Sequence, residues 1–226
     1  MSKALNSPMC TAWYARFKTP DTKYADDGEY KVTGHFDTDE PKVQAFIEQI
    51  DAWYDESYEA AVKAAVDDGK YKTEAAARKK VKQGDKPYVY VEDDEGDDTN
   101  IIKINFRMKA CAKNKKTGET FELKPTIFGG SGVLDQKQVP YIGNGSTIRV
   151  AYTPIQWYTA QLGSSVKLRL EGAKLYKVIA GGNNNVGFDD DDDEDGGYEA
   201  PEGVLFDDDD SDPGVDDSHD DGSGDF

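Results

Sequence analysis

Thirty-eight residues, Asp189 to Phe226, contain no lysine and no arginine. Histidine is scarce along the whole chain, with only His35 and His219. Imidazole is the usual general base near neutral pH, so proton-transfer catalysis has few candidate groups. Two cysteines, Cys10 and Cys111, stand far apart. They suggest no disulfide framework and match free thiols in a reducing compartment. A zinc site from Cys10, Cys111 and His35 has no familiar ligand spacing. No apolar run approaches the roughly 18 residues of a membrane span. The opening MSKALNSPMC lacks the apolar stretch of a secretory leader. Glycine pairs occur in GNGS and GGSG, but neither is followed by the Lys-Ser/Thr of a phosphate-binding loop. A soluble cytoplasmic protein without catalytic machinery, metal or cofactor is the expectation.

What the chain does have is charge, unevenly placed. The net charge is −18 over 226 residues. Residues 189–226 hold 19 Asp and Glu, which leaves 26 acidic and 27 basic residues in the rest. A one-signed block of this size repels itself, stays solvated and commonly serves as an interaction tail. Asp191, Asp193, Asp195, Gly196 and Glu202 fit an EF-hand loop pattern. Asp-rich composition produces such a match by itself, and neither flank reads as a helix. The acidic segment carries few apolar points: Tyr198, Leu205, Phe206 and Phe226. Phe226, with Asp225, Asp221 and Asp220, is the expected partner-binding element. Charge steers a basic partner and the ring fills an apolar pocket.

The body reads as mainly β. Residues 12–18 and 29–36 alternate apolar with polar, as strands do. From Pro41 a helical spacing follows, through Val43, Phe46, Ile47, Ile50, Trp53 and Tyr54, with Asp39 as expected cap. A shorter helix is expected from Thr73 to Gly84. In IIKINFRMKACA a period of two puts Ile102, Ile104, Phe106, Met108 and Ala110 on one face. Lys103, Asn105, Arg107 and Lys109 fall on the other. Later strands are STIRVAY and SSVKLRLEGAKLYKVIA. The pattern predicts an antiparallel barrel or sandwich over residues 1–180, with a helical insertion at about 41–84 and an acidic tail over 181–226.

Cations on strand faces, interleaved with aromatics, point to nucleic acid. The row Lys103, Arg107 and Lys109 runs on through Lys113, Lys115 and Lys116; Lys167 and Arg169 share one later face, and Arg149 lies on another. Cations neutralise phosphates. Tyr14, Tyr88, Tyr152, Trp157 and Tyr158 supply rings, which stack on unpaired bases irrespective of sequence. The bland alternatives are a solvated sheet face and tyrosines packed in a core. Trp13 is expected to face inward with Phe17, and Trp53 to join the core. The cluster Arg78, Lys79, Lys80 and Lys82 fits a solvated helix face.

Three stretches carry a family resemblance: YIGNGSTIRVAY followed by GSSVKLRLEGAKLYKV, the helix DESYEAAVKAAV, and the acidic tail closing on Asp225-Phe226. Together they resemble the single-stranded DNA-binding proteins of short-tailed bacteriophages of the T-seven type, over nearly the whole chain. The resemblance implies an OB-fold barrel with an inserted helix and sequence-independent binding of single-stranded DNA in replication, recombination and strand annealing. It also implies a homodimer in the host cytoplasm, with a tail that contacts the phage DNA polymerase and helicase-primase and competes with DNA for the groove. It places the DNA surface on Lys103, Arg107 and Lys109 and on the segment after Tyr152, leaving open which of Trp157 and Tyr158 stacks. Asp27 stands where the family can carry a basic residue, so Lys31 becomes the substitute. Two rivals remain: an acidic DNA mimic that binds basic partners and no DNA, and a cold-shock-like RNA-binding module.

Overall fold

Alternation of buried and exposed side chains runs through four long strands, and it closes them with a fifth into a barrel. The computed structural model describes residues 4–23, 26–114, 116–130 and 132–180. Lys115, the EF-hand-like match and the expected partner-binding residues Phe226, Asp225, Asp221 and Asp220 lie outside the described residues. The chain divides into two units, Met1–Asn184 and Asn185–Phe226. The described elements all belong to the first.

Their order is β1 (Leu5–Asp21), β2 (Glu29–Asp37), α1 (Pro41–Asp67), α2 (Glu74–Arg78), β3 (Tyr88–Glu92), β4 (Asp98–Lys109), β5 (Cys111–Lys113), β6 (Thr120–Glu122), β7 (Thr126–Gly129), β8 (Gly132–Val133), β9 (Ser146–Thr159) and β10 (Gly163–Lys177). In the large sheet β4, β2, β1, β9 and β10 are successive neighbours, and β10 returns to pair with β4. That pairing closes a five-stranded barrel of OB type with α1 inserted between its second and third strands. The barrel reading therefore replaces the open choice with a sandwich. Four junctions are antiparallel; the closing one is parallel and short, with Leu168 opposite Phe106 and Arg169 opposite Arg107. At this seam β4 changes partners. Its first half bonds to β3 and only its second half reaches β10.

The interior is built as the period of two requires. Ile102, Ile104, Phe106 and Met108 of β4 are buried with Val32 and Phe36 of β2, Ile148 and Val150 of β9, and Leu168 and Leu170 of β10. Val43, Phe46 and Ile50 of α1 join this core. The far end of α1 packs Ala61, Val62 and Ala65 against Ala77 and Val81 in a second cluster. The cap of α1 is Glu40, not Asp39. Asp39 is occupied elsewhere: its carboxylate accepts from Asn100 Nδ2 at 3.0 Å. The second helix starts after Thr73 as expected but ends at Arg78, well short of Gly84. Past it the chain turns away to meet β10.

One expectation fails instructively. Ala12 and Phe17 of β1 are both buried, yet they are an odd number of residues apart. A strict period of two cannot place both inward. A bulge between Trp13 and Arg16 supplies the extra residue. Tyr14, with φ of 53°, takes the left-handed conformation, so the exposed Tyr14 ring and the half-buried Trp13 both lie outside the core. Trp13 is therefore not a core residue. Trp53 does pack against the core. Burial pushes the Cys10 thiol up to about 12, which leaves it protonated and inert. Among the described residues, no helix is long and apolar enough to cross a membrane.

Candidate nucleic-acid interface

The seam between β4 and β10 opens outward into a groove of about 930 Å³. One wall is the outer face of β4, with Asn105, Arg107 and Lys109. The other is the β9–β10 hairpin, with Ile155, Trp157, Lys167 and Arg169. Lys113 and Cys111 extend the floor towards β6. The location follows from pairing. Thr153 lies opposite Arg169 and Ile155 opposite Lys167, while Arg169 registers with Arg107. Alternation along β9 and β10 then brings Trp157, Lys167 and Arg169 to the groove side.

The hairpin wall is fixed from behind by backbone carbonyls. Ser57 of α1 donates to the Ser165 carbonyl at 2.9 Å, and Ser165 donates its own hydroxyl to the Asp85 carbonyl at 2.6 Å. Gly84 N–H donates to the Ser164 carbonyl at 2.8 Å, and Ser164 N–H donates to the Lys82 carbonyl at 3.0 Å. Tyr54 donates its hydroxyl to the Gly84 carbonyl. Gly163 permits this approach. Its φ is 90°, and a Cβ there would sit 2.7 Å from Gly84 N and 2.9 Å from the Lys82 carbonyl. The inserted helix thus holds the strand that carries Lys167, although it contributes no side chain to the groove lining.

The groove cations fall into two groups. Arg107 faces Glu29 at 3.4 Å, and Arg169 grips Glu171 at 2.6 and 2.8 Å. Thr153 donates to the same Glu171 oxygen at 2.7 Å. These carboxylates hold the two guanidinium groups in place, one on either side of the seam, and partly neutralise them. Lys109, Lys113 and Lys167 make no ion pair among the described residues. Three carboxylates, Asp27, Glu29 and Asp85, also line the groove. Asp27 thus occupies the wall as a repulsive group.

Five of the ten residues expected to meet DNA share this groove: Arg107, Lys109, Trp157, Lys167 and Arg169. The other five do not line it. Tyr152 is the clearest correction. It is 2% exposed, its ring lies 5.7 Å from Phe46 and 5.8 Å from Phe106, and burial pushes its hydroxyl up to about 12. Tyr152 is a core ring and offers no face to a base. Lys31, opposite Arg107 on β2, is tied to Asp21 at 2.5 Å and does not line the groove. Lys103 lies opposite His35 on the continuing outer face. Arg149 sits between Met9 and Lys174 on a separate face, with Nε buried and unpartnered among the described residues. Tyr158 is 40% exposed but points away from the groove side that Trp157 takes.

Sequence reasoning missed Ile155 and Cys111 as groove residues. The period of two that runs back from Trp157 reaches Ile155, so that signal was present. Of the basic helix cluster, Arg78 is held by Glu59 and lies over the Tyr58 ring, which fits a surface role. Among the described residues, no three His, Cys, Asp or Glu side chains gather as metal ligands.

The family model for the single-stranded DNA-binding protein of bacteriophage T7 matches residues 8–178. The single-stranded DNA-binding protein of Enterobacteria phage T3 is 32% identical over 182 residues, which cover 77% of this chain and 73% of the relative. Its counterpart from Escherichia phage T7 is 33% identical over 155 residues, 67% of this chain and 62% of the relative. The crystal structure of the bacteriophage T7 single-stranded DNA binding protein superposes with a TM-score of 0.65 at 28% identity, over 88% of this chain and all of the other.

Proposed function

The chain belongs to the bacteriophage T7 family of single-stranded DNA-binding proteins, and from that premise we propose that the β4–β10 groove is where the strand lies. The chain binds single-stranded DNA in phage replication and recombination. It is a binding protein and not an enzyme. One observation carries the placement: cations from β4 and β10 converge with the Trp157 ring in a single open groove at the barrel seam. OB barrels commonly take oligonucleotides on the face of their second and third strands, between the loops that follow the first and the fourth. Here those strands are β2 and β4, and the later loop is the β9–β10 turn.

Each groove component has a role. Lys109, Lys113 and Lys167 meet phosphates and release counterions. Arg107 and Arg169, held by Glu29 and Glu171, stay oriented while only part of their charge is available. Trp157 stacks on an unpaired base, which a duplex cannot offer. Nothing in this set reads base edges, so recognition is independent of sequence. The acidic segment 189–226 competes for the same cations, and DNA frees it to engage basic surfaces on the phage polymerase and helicase-primase, with Phe226 as the apolar anchor. Strand annealing, a homodimeric state and a place in the cytoplasm of the infected host complete the reading.

Competition binding tests it. A labelled single-stranded oligonucleotide bound to the full chain is challenged with unlabelled single strand, duplex and RNA of one sequence. Displacement by single-stranded DNA far ahead of duplex is expected. Equal displacement by duplex contradicts the stacking role, and preference for RNA favours the cold-shock-like reading. Binding to none of them leaves the acidic mimic. Deletion of residues 189–226 is expected to tighten DNA binding, and unchanged affinity would remove the competition by the tail.

A further inference from the structure

The outer face of β1, β2 and β4 carries a ring cluster that the groove does not use. Trp13 and His35 stack with centroids 5.2 Å apart and planes 21° from parallel. Tyr14 follows, its ring 6.2 Å from Trp13. Tyr14 is 66% exposed, the most exposed aromatic side chain among the described residues. It is also the one non-glycine residue with positive φ among them. Its backbone N–H is held by the Asn144 side chain at 2.9 Å. A bulky residue in the left-handed region costs free energy that glycine would not, and an exposed ring recovers little of it through packing. Strain of this kind concentrates at ligand-binding positions.

The cluster is continuous with the groove. Asn105 lines the groove, and its Oδ1 accepts from Thr33 at 2.7 Å. Thr33 is the β2 partner of Trp13. Two strand spacings, roughly 10 Å, separate the groove edge from the indole. Lys103, one of the expected contacts that the groove leaves out, lies opposite His35 and makes no ion pair among the described residues. Burial, with Lys103 adding to it, holds His35 below its ordinary value, so the imidazole presents an uncharged face at neutral pH.

We propose that Trp13, His35 and Tyr14 form a second stacking platform, on which unpaired bases of the strand in the groove continue across β4, β2 and β1, with Lys103 meeting the phosphate on the way. The proposal rests on the groove reading given above. It assigns the extra residue of the β1 bulge a purpose: the bulge delivers two successive side chains to one face.

The test compares full-length wild type, Tyr14→Gly and Tyr14→Phe with oligothymidylates of about 4 and about 16 nucleotides, the range one OB barrel covers. Glycine accepts the φ of 53°, so Tyr14→Gly is expected to melt at or above the wild-type temperature. It is expected to lose about tenfold in affinity for the long oligomer, the scale of one lost stacking contact, and nothing for the short one. Tyr14→Phe keeps the ring and is expected to retain both affinities. Unchanged long-oligomer binding by Tyr14→Gly overturns the platform while the groove stands. Equal loss on both oligomers also overturns it, because the ring then serves the groove itself. Failure of wild type to bind either oligomer overturns the groove reading and the platform with it.

Discussion

Replacing Lys109 or Lys167 by glutamine should flatten the salt dependence of single-strand binding by a fixed step. Each phosphate neutralised on a single strand contributes about −0.7 to the slope of log affinity against log salt. Lys109, Lys113 and Lys167 line the groove without acidic partners among the described residues. If each meets one phosphate, the slope is about −2. Arg107 and Arg169 extend it towards about −3.5 if the DNA draws them away from Glu29 and Glu171. Between 50 and 200 mM salt, affinity then falls by roughly 20-fold at the first slope and about 100-fold at the second. Fluorescence anisotropy with a labelled oligothymidylate at four salt concentrations measures this directly. Lys167→Gln and Lys109→Gln are each expected to reduce the slope by about 0.7, and the double variant by about twice that. Glu171→Gln releases Arg169 and should act in the opposite sense, with tighter binding at low salt. A flat plot for wild type, or variants that weaken binding with the slope unchanged, would refute phosphate contact by these lysines.

Three further outcomes follow from the packing. Tyr152→Phe is expected to bind DNA as wild type does, whereas Tyr152→Ala, by emptying a packed aromatic site, should cost about 3–5 kcal/mol in denaturant melts. Gly163→Ala meets both a φ of 90° and the backbone of Gly84 and Lys82; it should destabilise by about 1–3 kcal/mol and loosen the hairpin that carries Lys167. His35 gives a pH signature. Its folded value is depressed below 6.5 by burial and Lys103, so the unfolded chain takes up the proton first. Stability is then full above about 6.5 and falls as pH drops through the folded value. His35→Gln should remove that acid-side loss, as followed by melting temperature from pH 7.5 down to pH 5 (an interval set by about the ordinary histidine value).

The groove was half legible in the sequence. Period-two reading placed Arg107 and Lys109 outward on β4 and Lys167 and Arg169 outward on β10, because alternation is a local property of each strand. Their meeting depends on a parallel junction of two residue pairs between strands some sixty residues apart, which no local pattern announces. Tyr152 was misplaced for a related reason. An aromatic beside a basic strand looks the same in sequence whether it faces bases or Phe106. The β9 alternation from Ile148 through Val150 does put Tyr152 on the buried face, and that signal was outweighed by its aromatic character. Trp13 was misplaced because a bulge shifts the phase of alternation, and Tyr14 carries no glycine or asparagine to mark the left-handed turn. Helix α1 was read well from Pro41 onward, while α2 stops at Arg78 and the residues beyond it, Lys82 and Gly84, bond to β10 instead of continuing the helix.

The most direct measurement is the affinity of the full chain and of its Lys109→Glu/Lys167→Glu variant for one labelled single-stranded oligonucleotide at low salt. Charge reversal at two groove positions leaves the core untouched, and unchanged thermal melting would verify that. Tight binding by wild type and at least a hundredfold loss in the variant, the order expected when two phosphate contacts become repulsions, is the outcome that places the strand in the β4–β10 groove. Equal affinity in the two proteins would contradict it and move the DNA to another face of the barrel.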